Sequence, residues 1–181
     1  MKILTTKLEG LFIIEPRVFR DARGYFYETW NKERYIEAGI SCDFVQDNES
    51  KSSYGVVRGL HYQQRPYSQA KLVRVVLGEV LDVVVDIRKG SPTFGQYESV
   101  RLSDQNKRQL FIPRGFAHGF SVLSSDVVFS YKCDHYYRPD FERGISFSDP
   151  EIGIDWGIPA DQMILSEKDK RHPVLAEAEI L

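Results

Sequence analysis

Short runs in which apolar and polar residues alternate follow one another along most of the chain, the period-two signature of half-buried strands. They fall at residues 11–14, 24–30, 44–48, 56–63, 71–77, 80–88, 97–102, 109–112 and 127–133. In residues 80–88, Leu81, Val83, Val85 and Ile87 make one face, which reads as core, and Val80, Asp82, Val84 and Asp86 make the other. If that second face points into a barrel, Asp82 and Asp86 need partners, and Lys71 or Arg74 are available. One short helix is predicted over residues 31–38, with Asn31 at its start and Gly39 past its end. Many short strands, few helices and no βα alternation predict an all-β barrel or jelly roll. Beyond Tyr137 the pattern loosens into a proline-bearing tail that wraps the barrel. Ser166 opens a helical turn there with Asp169 three residues on, so Asp169 reads locally as half of a capping box.

Composition narrows the class. The 181 residues fit one domain, residues 1–181, with no repeat, low-complexity run or linker to divide it. A content of 42% hydrophobic and 28% charged residues is that of a soluble globular protein, and a formal charge of −2 gives no argument for nucleic acid or an acidic membrane surface. Cys42 and Cys133 lie far apart and in no metal-type spacing, which suits free thiols in a reducing cytoplasm. No apolar run is long enough for a signal peptide or a membrane span, so a cytosolic protein is expected.

The chemistry concentrates in residues 55–76, GVVRGLHYQQRPYSQAKLVRVV, where charged and amide side chains interrupt apolar strand sequence. Alternation puts His61 and Gln63 on one face with Gly59, Arg58 and Leu60 on the other, and Lys71 on a face with Val73 and Val75. Two readings stand: a core histidine beside a snorkelling lysine, or a base and an electrophile that remove a proton beside a carbonyl and hold the enolate. Glu28, between Phe26 and Trp30, is a solvated edge residue or a ligand contact, and Gln46, Asp47 and Asn48 either close a turn or read a base edge or phosphate. Metal-binding jelly rolls of the cupin type carry a His-x-His pair, a later glutamate and a histidine in a Pro-x-Gly-x-x-His segment. Here His61 and His118 occupy two of those positions, Gln63 replaces the second histidine, and the acid is missing, with Lys71 the nearest charge. Two imidazoles and an ammonium make a poor divalent site, so neither a metal nor another cofactor is expected.

The segments FRDARGYFYETW, FVQDNESKS, GVVRGLHYQ, QAKLVRVVLGEVLDVVVDIRKGSPTFG, QLFIPRGFAHGF and YKCDHYYRPDFERGI, in this order, resemble the dTDP-4-dehydrorhamnose 3,5-epimerase family from residue 11 to residue 169. The resemblance implies a metal-free cupin-type jelly roll with an N-terminal strand extension and short C-terminal helices, acting as a homodimer with exchanged N-terminal strands. It implies epimerisation at C3 and C5 of dTDP-4-dehydro-6-deoxy-D-glucose, with His61 as proton acceptor, Tyr131 as donor, Asp169 orienting the histidine and Lys71 facing the oxyanion. Arg58 would line the sugar pocket, and Arg23, Glu28, Gln46, Asp47, Asn48, His118, Glu142 and Lys168 fall on substrate-binding positions. The alternatives are a C3-only or C5-only epimerase, with the same base, lysine and tyrosine in a differently shaped pocket, and a non-catalytic sugar-nucleotide binder.

Overall fold

The alternating runs become strands because each can bury one face while its backbone pairs along its edges. In the computed structural model, which describes residues 1–180, the first five are β1 (Lys2–Thr5), β2 (Phe12–Glu15), β3 (Phe19–Asp21), β4 (Gly24–Phe26) and β5 (Gln46–Ser53). The long central strands follow as β6 (Val57–Gln63), β7 (Lys71–Leu77), β8 (Glu79–Asp86) and β9 (Tyr97–Ser103). The remainder are β10 (Gln109–Ile112), β11 (Phe116–Val122), β12 (Asp126–Cys133) and β13 (Glu142–Gly144). Helix α1 (Lys32–Glu37) lies between β4 and β5, capped by the Asn31 side chain, which accepts from the Arg34 backbone N–H.

Two antiparallel sheets form a jelly roll. One has the strand order β1-β2-β10-β7-β12-β5 and the other β13-β6-β11-β8-β9, while β3 and β4 make a separate hairpin. Val73, Val75 and Phe129 from the first sheet meet Val84, Phe116 and Phe120 from the second in the core between them. The tail covers the outer face of the second sheet, with Ile152, Trp156 and Leu175 packed in one cluster with Leu60, Val83, Val85 and Ile87. Strand β8 is therefore buried on both faces. Its carboxylates do not use the expected partners: Asp82 pairs with His118, and Asp86 accepts from Arg88, Ser91 and Thr93. Arg74 instead donates to the Tyr27 hydroxyl.

Other differences have local causes. The strand expected over residues 24–30 ends at Phe26, because Trp30 turns to pack tilted against Tyr35 and edge-on against Phe44 at the entry to α1. The strand expected over 44–48 starts at Gln46 and runs through a polar stretch to Ser53, held by pairing with β12 along its whole length. It lies at the sheet's edge, where polar side chains meet water. No helix among the described residues is long and apolar enough to cross a membrane.

Candidate active site

The site opens at one end of the space between the sheets. A cavity of about 260 Å³ is walled by Gln46 and Asn48 of β5, His61 of β6, Lys71 of β7, Tyr131 of β12 and Glu142 of β13. A second cavity of about 170 Å³ shares His61, Lys71 and Tyr131 and adds Arg58 and His118. Three chemistry-bearing side chains thus stand on the wall common to both. The larger cavity is smaller than the roughly 300–1,000 Å³ that encloses a drug-sized ligand, so it suits a sugar-sized ring with any larger appendage left at the mouth.

Strict alternation assigned Arg58 and His61 to opposite faces, yet both line the second cavity. The register explains it. His61 pairs with His118 and Arg58 with Phe120, so three residues of β6 are spanned against two of β11, and the extra residue is a bulge at Gly59-Leu60. Gly59 has φ +126°, and a Cβ there would come within 2.5 Å of the Gly119 Cα, so only glycine fits. Arg58 also donates to the Ser52 hydroxyl.

His61 Nε2 lies 2.6 Å from Asp169 Oδ1, and the Asp169 side chain is 5% exposed. With Nε2 as the protonated nitrogen facing a carboxylate, Nδ1 remains free to take a proton. Burial, the largest single influence, would raise the Asp169 carboxyl, but the hydrogen bond and charge of His61 together with Ser166 and His172 outweigh it and keep it below the ordinary value. The Ser166 hydroxyl does accept the Asp169 backbone N–H, so the turn is capped as expected, while the carboxylate is spent on His61 rather than on a capping box.

Burial pushes the Lys71 ammonium down and the Tyr131 phenol up. A depressed lysine in a partly buried wall, still attracted by Asp82 and Glu142, is a donor poised to meet developing negative charge. A raised tyrosine stays protonated and can give its proton to a strong base. Glu142, raised by burial but lowered further by Lys168 and Tyr137, remains a carboxylate at the mouth. At the positions where related folds ligate a metal, the donors are committed elsewhere: Gln63 bonds the Tyr67 and Tyr136 carbonyls and the Arg138 N–H, and Asp82 holds His118 Nε2 at 3.0 Å. With Lys71 in the same wall, this donor set fits acid/base work and not a central ion.

The expected residues thus divide. His61, Lys71, Tyr131, Arg58, Gln46, Asn48, His118 and Glu142 line the joined cavities, Asp169 backs His61, and Lys168 reaches Glu142. Asp47 instead points outward and pairs with Lys132. Arg23, its side chain 90% exposed, pairs with Asp21 at the tip of the β3–β4 hairpin, and Glu28 accepts from Arg34 and Asn31. Neither of these two lines the cavity within one chain. Sequence reasoning missed Gln69 and Tyr137, which also wall it; Tyr137 lies where the strand pattern has already ended, and its hydroxyl donates to Glu142.

A sequence model described as dTDP-4-dehydrorhamnose 3,5-epimerase matches residues 5–177. The enzyme of that name from Methanothermobacter thermautotrophicus is 51% identical over 177 residues, covering 97% of this chain and 95% of that protein. The crystal structure of dTDP-4-dehydrorhamnose 3,5-epimerase from Elizabethkingia anophelis NUHP1 is 52% identical, covers 98% of this chain and 97% of its own, and superposes with a TM-score of 0.94. A dTDP-6-deoxy-D-glucose-3,5-epimerase from Legionella pneumophila Philadelphia 1, solved with dTDP-4-keto-L-rhamnose, is also 52% identical, covers 97% of this chain and 93% of its own, and has a TM-score of 0.94.

Proposed function

The chain belongs to the dTDP-4-dehydrorhamnose 3,5-epimerase family, and from that we propose that it inverts C3 and C5 of dTDP-4-dehydro-6-deoxy-D-glucose to give dTDP-4-dehydro-L-rhamnose. It is an isomerase, and residues 1–181 act as one epimerase domain. The observation that carries the residue roles is the His61–Asp169 pair standing in one wall with Lys71 and Tyr131.

The C4 ketone acidifies the hydrogens on C3 and C5, but a C–H beside a ketone is still a far weaker acid than imidazolium. A base alone cannot remove it, and the enolate must be stabilised as it forms. Lys71 supplies that charge at O4. His61 Nδ1 takes the proton from one face, and Asp169 steadies the imidazolium through Nε2. Tyr131 returns a proton from the other face, and the centre is inverted. Arg58, His118, Gln46, Asn48, Glu142 and Lys168 hold the sugar and the diphosphate, and the nucleotide at the mouth tethers the ring while it turns to present the second carbon.

Arg23, Glu28 and Asp47 belong to the same binding set through assembly. Phe19, Tyr25 and Phe26 of the β3–β4 hairpin are 50%, 53% and 70% exposed, an apolar surface that favours a partner. In the proposed homodimer this N-terminal hairpin is exchanged, so that Arg23 and Glu28 complete the mouth of the partner's cavity. The unpaired thiols Cys42 and Cys133 accord with the cytoplasm as its place of action.

The test is incubation with the keto sugar nucleotide in deuterium oxide, the label being located by NMR. The wild type is expected to label both C3 and C5, and His61→Asn neither. Exchange retained in the variant would remove His61 as base, and label at one carbon only would make the enzyme a C3-only or C5-only epimerase.

A further inference from the structure

Behind the His61–Asp169 pair stands a histidine that the reaction does not use. The ring of His172 meets that of His61 edge to face, with centroids 5.6 Å apart. Its Nε2 is buried and has no hydrogen-bond partner; it lies 3.4 Å from the same Asp169 oxygen that His61 holds, too poorly aligned to bond. A buried polar nitrogen left without a partner is destabilising, and an electron-poor guest on its lone pair would relieve that. Gly144 of β13, which pairs with His61 across the sheet, makes the room: a Cβ there would come within 2.4 Å of His172 Nε2.

We propose that His61 Nε2, Asp169 Oδ1 and His172 Nε2 form an inhibitory binding site for a zinc-class divalent cation. The three ligand atoms all lie within 4.8 Å of one another. A tetrahedral zinc with bonds of about 2.0–2.2 Å separates its ligands by roughly 3.4 Å, so the Asp169–His172 spacing already fits, the 2.6 Å His61–Asp169 contact opens by less than about 1 Å, and the two imidazole nitrogens, within 4.8 Å of each other, adjust by a rotation of the His61 ring. Two imidazoles and one carboxylate satisfy the need for three unprotonated donors, and the fourth position is open to water. The neighbouring ammonium of Lys168 is turned onto Glu142, so it does not occupy the site. This is a place apart from the central position where Lys71 opposes an ion.

Inhibition follows from the tautomer and rests on His61 being the base. A neutral imidazole carries one proton; when Nε2 faces the Asp169 oxygen that proton is on Nε2 and Nδ1 is the base. A cation on Nε2 moves the proton to Nδ1 through solvent, with no net uptake or release at that ring, and the lone pair that must accept the substrate hydrogen is gone.

The experiment titrates the full-length protein with zinc chloride by calorimetry and, in parallel, follows epimerase turnover at buffered free zinc. The wild type is expected to bind one zinc per chain and to lose turnover reversibly, with recovery on adding EDTA. His172→Leu, which removes one ligand, is expected to keep its basal turnover and thermal midpoint while half-inhibition moves to on the order of tenfold more zinc or beyond. His135→Ala, at a half-buried histidine that packs on Tyr67 outside the cluster, serves as control and should titrate like the wild type. Absence of calorimetric binding, or equal zinc sensitivity in His172→Leu, overturns the site and leaves the epimerase reading untouched. Binding with undiminished turnover overturns the inhibitory role, while His61 as the base is tested separately by deuterium exchange in His61→Asn.

Discussion

At the scale of single residues, the decisive distinction is between side chains that hold the fold and those that hold the reaction. Asp169 could have been a turn residue only; its carboxylate meets His61, and in the proposed mechanism that makes it a positioning residue. Asp169→Asn is expected to lower kcat about a hundredfold or more with KM little changed and the thermal midpoint preserved, since the amide cannot balance an imidazolium. A fallen midpoint with turnover intact would return Asp169 to the capping role. Asp86 sits at the structural end of the range. Burial alone would raise it, but Arg88, Ser91 and Thr93 together bring it from 3.8 down to about 2. A carboxyl depressed in the folded state contributes stability that is whole above the unfolded value of 3.8 and is lost as pH falls towards about 2. The urea midpoint of wild type should therefore exceed that of Asp86→Asn at about pH 6, and the two should converge near about pH 2. His61, Lys71 and Tyr131 were visible in the chain because charge and phenol stand out on apolar strand faces, and Lys71 and Tyr131 lie on paired strands. The partner of His61 was not visible from spacing, since nothing local connects residues 108 positions apart, and it came only from resemblance to a known family.

At the scale of elements, alternation located nearly every long strand, because a strand buried on one face must alternate. It failed where geometry departs from a strict two-residue period. The bulge at Gly59-Leu60 puts Arg58 and His61 on one cavity wall, an arrangement that no count of twos predicts. Strand β3, of three residues, was too short to carry a pattern, and β11, buried at every position, does not alternate. Residues 27–30 lost theirs to the packing of Trp30 on α1 and Phe44. Gly59→Ala is expected to lower the unfolding free energy by about 2–4 kcal/mol, because the methyl group meets backbone that cannot yield. Denaturant unfolding measures that cost, and turnover measures whether Arg58 and His61 lose their common wall.

At the scale of the whole molecule, the jelly roll was legible in the succession of short strands, whereas the proposed homodimer was not, because an exposed hairpin and a partnered one have the same sequence. Phe26→Asp should leave the monomer folded, since Phe26 is 70% exposed and outside the core clusters. In sedimentation it is expected to shift the protein from dimer towards monomer, with turnover falling in proportion. An unchanged sedimentation coefficient would remove the hairpin from the interface. The 108 residues between His61 and Asp169 also set an order of events during synthesis on the ribosome. The cavity wall from Gln46 to Glu142 emerges before Asp169, which in the proposed mechanism arms the imidazole. A nascent or prematurely terminated chain ending before Asp169 is therefore expected to sequester the keto sugar nucleotide without converting it.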